Sequence, residues 1–280
     1  MSMLECFFSN KYVGRGDLFE GLSIWNDEKY RQLQGTYPVI FISFAEIKAN
    51  NFKDTKNDMV SVINDVYKQH SYLLEDAILT DAERNLFRQL DDYSKNTNVN
   101  KDISNEIIYR SVKDLAAILY RKFEKKVIIL LDEYDTPMQE AYVNGFWNDM
   151  VGFIRSFFNS TLKTNPYLDR AIMTGITRVS KESIFSDLNN LNVITTTNDE
   201  YNTSFGFTES EVADMLEYYE LEDKAEDIKK WYDGYLFGQT HVYNPWSVIS
   251  YLNGVIADRI TYPRPYCCLL YTSPSPRDTR

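Results

Sequence analysis

The chain has 280 residues, 44% hydrophobic and 25% charged, the composition of an ordinary globular protein with one large domain and room for a small appendage. A formal net charge of -11 argues against broad binding to nucleic acid or anionic membrane through these residues. The cysteines (Cys6, Cys267, Cys268) and histidines (His70, His241) lack zinc-ligand spacing. No apolar run reaches membrane-spanning length and the first residues lack a signal-peptide pattern, so a cytoplasmic protein is expected.

In chain order, residues 3–9 read as the later turns of a helix with no capping residue before it, and Lys11 to Glu28 reads as loop with Gly14, Gly16 and Gly21. Tyr37 to Phe44 reads as a buried strand with its proline at the start, where no ladder donor is needed. Asn51–Leu74 is expected to be helical, with Met59, Ile63, Val66 and Tyr67 on one face. The polar stretch 75–101 is expected to hold a short helix and a loop. Ile108, Val112, Leu115 and Leu119 fix a helix over Ile103–Phe123.

Val127–Leu131 is five branched apolar residues in a row, the mark of a strand covered on both faces and so of a parallel sheet in an α/β fold. Trp147, Met150, Val151, Ile154 and Phe158 mark the next helix. Arg170–Gly175 reads as another buried strand, and Leu191–Thr197 as a short β-branched one. Thr208-Glu-Ser-Glu211 is a capping box before a helix, and Asn244-Pro245 caps and opens another. No strand pattern is visible from 208 to 254, which predicts a small helical subdomain after the α/β core.

The last residues, 268–280, fit nothing before them. They resemble a translated sequencing adapter, which would end the authentic sequence near Tyr266 or Cys267.

Asp132-Glu133 ends the buried strand and so stands at the carboxyl edge of the sheet, where open α/β sheets bind ligands. One carboxylate there can hold Mg²⁺ through water, and its neighbour can activate a water for attack on a γ-phosphate. The plainer alternative is that the two acids end a strand, with Asp135 capping the helix that Thr136-Pro137 opens.

Several blocks in order resemble the predicted AAA-ATPase-like family, whose members are often fused to a PD-(D/E)XK nuclease-like domain. They are Gly16–Trp25, Tyr37–Phe44, Leu130–Met138, Thr174–Arg178 with Ser186–Asn190, Phe205–Val212, and Trp231–Gly238 with Val242–Trp246. The resemblance implies an AAA-type P-loop NTPase core over 1–205 and a helical lid over 206–266; the adapter-like residues leave 267–280 as an artefactual tail, the plainer alternative being a real disordered one. It makes Leu130–Asp135 the Walker B strand, with Asp132 the Mg²⁺-associated acid and Glu133 the water-activating one. Thr174 falls at the sensor position, able to touch the γ-phosphate or the attacking water. Arg178 could approach phosphate charge. The bland alternatives are a turn residue for Thr174 and a surface ion pair for Arg178.

One departure from the family matters. No G-x-x-x-x-G-K-[ST] phosphate loop exists in these 280 residues. In the family that loop lies just upstream of the segment matching Met1–Leu4. The expectation is therefore a chain cut at its N-terminus, with an incomplete sheet. The strand before the loop would lie between the Ala171–Thr174 and Val193–Thr197 strands, so without it two edges keep unpaired backbone groups. Poor solubility and no ATPase activity are expected of the chain alone.

Other features point elsewhere or nowhere. Trp231, Tyr232, Tyr235 and Phe237 suit packing of the small subdomain better than adenine stacking. Arg121, Lys122, Lys125 and Lys126 read as the solvated end of a helix and not as a DNA contact. Ser43 and Ser186 lie in no G-x-S-x-G, so neither is a supported nucleophile. The leading expectation is a Mg²⁺-dependent ATP-binding and ATP-hydrolysing module, with a protein partner or oligomer as its output. Its rival is a non-hydrolysing scaffold for protein interaction. Nucleic acid enters only by analogy, through a downstream nuclease-like domain.

Overall fold

The structure is a computed structural model that describes residues 1–95, 103–176, 185, 188, 190–258 and 262–266. The chain divides into two compact units, the first running from Met1 to Asn190 and the second beginning at Leu191.

The first unit is built on a three-stranded parallel sheet in the order β1 (Val39–Ser43), β2 (Val127–Asp132), β3 (Leu168–Met173). Parallel neighbours need long crossovers, and helices supply them. From β1 to β2 the chain passes through α3 (Phe52–Gln69), α4 (Asp81–Lys95) and α5 (Asn105–Phe123); from β2 to β3 it passes through α6 (Thr136–Val143) and α7 (Trp147–Phe158). Ahead of β1 come α1 (Ser2–Phe8) and the single turn α2 (Glu28–Arg31). The result is a mixed α/β architecture, a parallel sheet with flanking helices, of the P-loop-like kind the sequence predicts.

β2 is the central strand, and Val127 to Leu131 are all completely buried, as a run with no polar face requires. Side chains alternate across the sheet. Val39, Ile128 and Leu130, with Phe41 and Ile172, form one face, covered by Met1, Leu4 and Phe8 of the α1 segment. Ile40, Ile42, Ile129 and Leu131 take the other face, and α3 packs on β1 and α5 on β2. Local chemistry sets the helix starts. The Asn51 side chain accepts from the Asp54 N–H at the head of α3, and Ser104 accepts from Ile107 at the head of α5.

Two expectations change, one in this unit and one at the start of the second. The polar stretch after residue 75 holds not a short helix but a fifteen-residue one, α4, because Phe87 and Leu90 give it a buried stripe. The residues 191–197, expected as a strand, join no sheet among the described residues, although the Gly238 N–H donates to the Thr196 carbonyl at 2.8 Å. The Asn198 side chain accepts from the Thr195 N–H at 2.8 Å and draws the backbone into a turn. β-Branched composition makes a strand only where a ladder partner exists. The outer edge of β3 likewise has no neighbouring strand among the described residues.

The second unit contains α8 (Glu209–Tyr218), α9 (Ala225–Tyr232), a hairpin of β4 (Asp233–Phe237) and β5 (Thr240–Tyr243), and α10 (Pro245–Asp258). The hairpin overturns the reading of 208–254 as strandless. Gly238, at φ 55°, makes the turn between β4 and β5 in a left-handed conformation that glycine adopts freely. Both predicted caps are present. Thr208 and Glu211 exchange the reciprocal bonds of a capping box, and the Asn244 side chain accepts from the Ser247 N–H at 2.9 Å. Val212, Leu216, Ile228, Tyr232, Tyr243 and Tyr251 belong to the unit's core. Of the aromatic cluster, Tyr232 is buried there, while Trp231 and Tyr235 remain exposed.

Candidate functional site

At the carboxyl edge of the sheet three polar residues stand in a row. Ser43 ends β1 and is in register with Asp132 at the end of β2. Thr174 follows β3 directly, and its N–H donates to the Leu131 carbonyl at 2.9 Å. By strand alternation all three lie on the sheet face covered by α1. The Thr174 hydroxyl donates to Asp132 Oδ1. Asp132 is half-buried, so this bond is sheltered from competing water.

The chain then turns sharply at Glu133, whose φ of 50° lies in the left-handed region. A non-glycine residue held there costs about 1–2 kcal/mol, and such strain gathers at functional sites. The turn is fixed from both sides. The Tyr134 N–H donates to the Thr174 carbonyl at 3.1 Å, and the Thr136 N–H to the Glu133 carbonyl at 3.1 Å. The Thr136 hydroxyl also donates to Glu133 Oε2 at 3.3 Å. The Tyr134 ring meets Phe158 and Phe185 edge-on, at 6.3 and 5.4 Å between centroids.

Asp135 occupies the cap position of α6, but its side chain makes no capping bond there. Its carboxylate is fully buried and accepts from the Gln139 amide at 2.7 Å. Above it passes Gly175. A Cβ at that position would stand 2.4 Å from Asp135 Oδ1 and 2.8 Å from the Tyr134 ring. Only glycine lets the β3 exit cross the buried acid this closely.

A metal held wholly by protein needs several converging ligands, and among the described residues no group of three acidic, histidine or cysteine side chains could provide them. Mg²⁺ asks for less. It binds through one or two carboxylates and keeps waters and substrate phosphates as its other ligands. Asp132 beside a threonine hydroxyl fits that ion, arriving with a nucleotide.

The family model described as "Predicted AAA-ATPase" matches residues 1–185, well over half of the chain and the whole of this sheet edge. The chain belongs to that AAA-ATPase-like family. An Azotobacter chroococcum mcd 1 protein, "Uncharacterized protein in vnfD 5'region", is 30% identical over 127 residues, which are 45% of this chain and 24% of that protein. The chain thus matches about a quarter of that relative's length. No solved structure matches.

Asp132, Glu133 and Thr174, the residues the family resemblance singles out, are brought together, while Arg178 lies outside the described residues. So do residues 267–280 of the tail. Ser43 fits no nucleophile motif and so carries no signal in the sequence, yet the equal ends of β1 and β2 put it beside Asp132. Three members of the basic run at the end of α5 have partners within the unit, and Lys126 is exposed. Arg121 pairs with Glu83 at 2.7 Å, Lys122 with Asp76, and Lys125 lies 3.7 Å from the Tyr37 ring centroid. His241 sits 3.3 Å from Asp233 with no metal set around it among the described residues. No described helix is long and apolar enough to cross a membrane.

Proposed function

We propose that this chain carries the acidic half of a Mg²⁺-dependent ATP-hydrolysing site, with Asp132, Glu133 and Thr174 as its working side chains. The observation that supports it most is the Thr174–Asp132 hydrogen bond at the carboxyl edge of a parallel sheet, in a chain of the AAA-ATPase-like family. Asp132 would hold Mg²⁺, whose positive charge offsets the phosphate charge during transfer. Glu133 takes the proton of the water that attacks the γ-phosphate, and ADP departs as the leaving group. The strained turn fixes where that carboxylate leaves the strand. Thr174 has one hydroxyl proton and gives it to Asp132. Its remaining capacity is to accept, so it positions Asp132 and can receive a hydrogen bond from the attacking water. Arg178, four residues on, is assigned to phosphate charge.

The 280 residues hold no Gly-Lys-Ser/Thr loop, and the proposal gives them the acidic half of such a site alone. The test joins the in-frame upstream segment to this chain and measures Mg²⁺-dependent ATP hydrolysis. Glu133→Gln is expected to keep nucleotide binding and lose turnover by at least about 100-fold; Asp132→Asn is expected to lose the Mg²⁺ dependence of binding. Turnover that survives Glu133→Gln sinks the assignment. Nucleotide binding without any turnover in the unaltered protein favours the rival reading, a non-hydrolysing scaffold.

A further inference from the structure

In the second unit, α10 is apolar on two sides and, among the described residues, only one is filled. Val248, Tyr251 and Leu252 turn into the unit's core. Ile249, Asn253 and Ile256 follow at helical spacing around another side, with Ile249 44% and Ile256 50% exposed. A helix apolar on more than one face is built to pack on more than one face. Opposite runs α8, which gives Val212 and Leu216 to the core and turns Met215 and Tyr218 toward the same space. Between the two helices lies a groove of about 450 Å³, walled by these residues and by Tyr219. Tyr218 is 80% exposed.

A small molecule would find little to orient it here. The polar members of the wall are Asp214 and Asn253, both exposed, and a ligand pocket needs polar groups converging from within. A trough between two helices, lined by aliphatic and tyrosine side chains, has the form that receives a third helix. Its charge says which kind. No lysine or arginine occurs between Leu191 and Asp223, nor between Pro245 and Asp258. Glu209 is paired with Lys229 at 2.6 Å and Glu211 is held in the capping box with Thr208, but Asp214 lines the groove and Glu217, three residues on in α8, is exposed to solvent. Tyr218 and Tyr219 add ring faces that attract cations.

We propose that the α8–α10 groove binds a basic amphipathic helix of a partner protein. Apolar anchors one helical turn apart seat between Met215, Ile249 and Ile256, and lysines or arginines on either side meet Asp214, Glu217 and the two tyrosines. The assignment does not depend on the ATP reading, because it uses none of its residues.

The test uses the whole chain and a labelled amphipathic peptide of leucine and lysine that repeats its leucines at helical spacing. Two controls accompany it: a peptide of the same composition with the pattern scrambled, and one with glutamate in place of lysine. Fluorescence anisotropy should show saturable binding of the patterned lysine peptide alone, weakening with salt. Ile249→Ser with Ile256→Ser should weaken it at least about 10-fold, as should Asp214→Lys with Glu217→Lys. All four positions are exposed, and matching circular dichroism and melting curves check that the variants fold. Equal binding of the scrambled peptide, or indifference to both double variants, overturns the proposal. So does a dimer in sedimentation that Ile249→Ser dissociates while the peptide fails to bind, since a second copy would then be the occupant.

Discussion

His70 offers the sharpest quantitative test of the first unit. It ends α3, is 3% exposed, and its Nδ1 lies 3.1 Å from the Tyr72 hydroxyl. Burial above all, and then the nearby positive charge of Lys11, push its pKa down from 6.5 to about 4. The sign follows from the two states. Above about pH 6.5 the ring is neutral folded and unfolded, and the full stability is present. As pH falls toward the folded value near 4, the unfolded chain takes up a proton that the folded chain refuses, and stability is lost. Between about pH 7.5 and about pH 5 that loss comes to about 2 kcal/mol for this one residue. At that lower pH carboxylates held down by partners, such as Glu83 beside Arg121, are still ionised and contribute little. Urea unfolding of wild type and His70→Asn at both pH values isolates the effect. His70→Asn removes the titrating group, so the wild type should lose about 2 kcal/mol more than the variant across the interval. Equal losses would show that the ring accepts its proton in the folded state and that the argument from burial is mistaken.

Three further outcomes follow from particular contacts. Gly175→Ala should cost about 1–3 kcal/mol in thermal or urea unfolding, since the new methyl meets the buried Asp135 carboxylate; an unchanged melting curve would contradict the close crossing. Glu133→Gly should raise stability by up to about 1 kcal/mol by relieving the left-handed turn, while ending ATP hydrolysis in the loop-containing protein; a loss of stability would mean the turn is not strained. Thr208→Ala should cost about 1 kcal/mol by removing the capping box of α8, read as weakened hydrogen-exchange protection of that helix, and unchanged protection would speak against the cap.

Much of the first unit was legible because its signals are local. The unbroken run Val127–Leu131 could only be a two-sided buried strand, and the spacing of Ile108, Val112, Leu115 and Leu119 could only be a helix buried on one face. The caps at Thr208 and Asn244 were legible because a cap is a contact across two or three residues, whereas those at Asn51 and Ser104 were not read and the one offered at Asp135 is not made. What failed depends on partners distant in sequence. Leu191–Thr197 has strand composition but no ladder partner among the described residues, and Asp233–Tyr243 looks like aromatic packing until Gly238 folds one half onto the other. At the site, the pairing of Asp132 with Thr174 joins residues 42 apart and was suggested by family resemblance, not by spacing. The buried state of Asp135 and the alignment of Ser43 carry no local signal, because each is set by the register of neighbouring strands.

Tyr134 turns the edge of the sheet into a single mechanical part. Its amide is tied to the carbonyl of Thr174, its ring is wedged against Phe158 and Phe185, and the residue before it is Glu133. The backbone from which the acid springs is therefore tied to β3 and α7. A tilt of β3 or a slide of α7 would reach the Glu133 backbone through a lever one residue long.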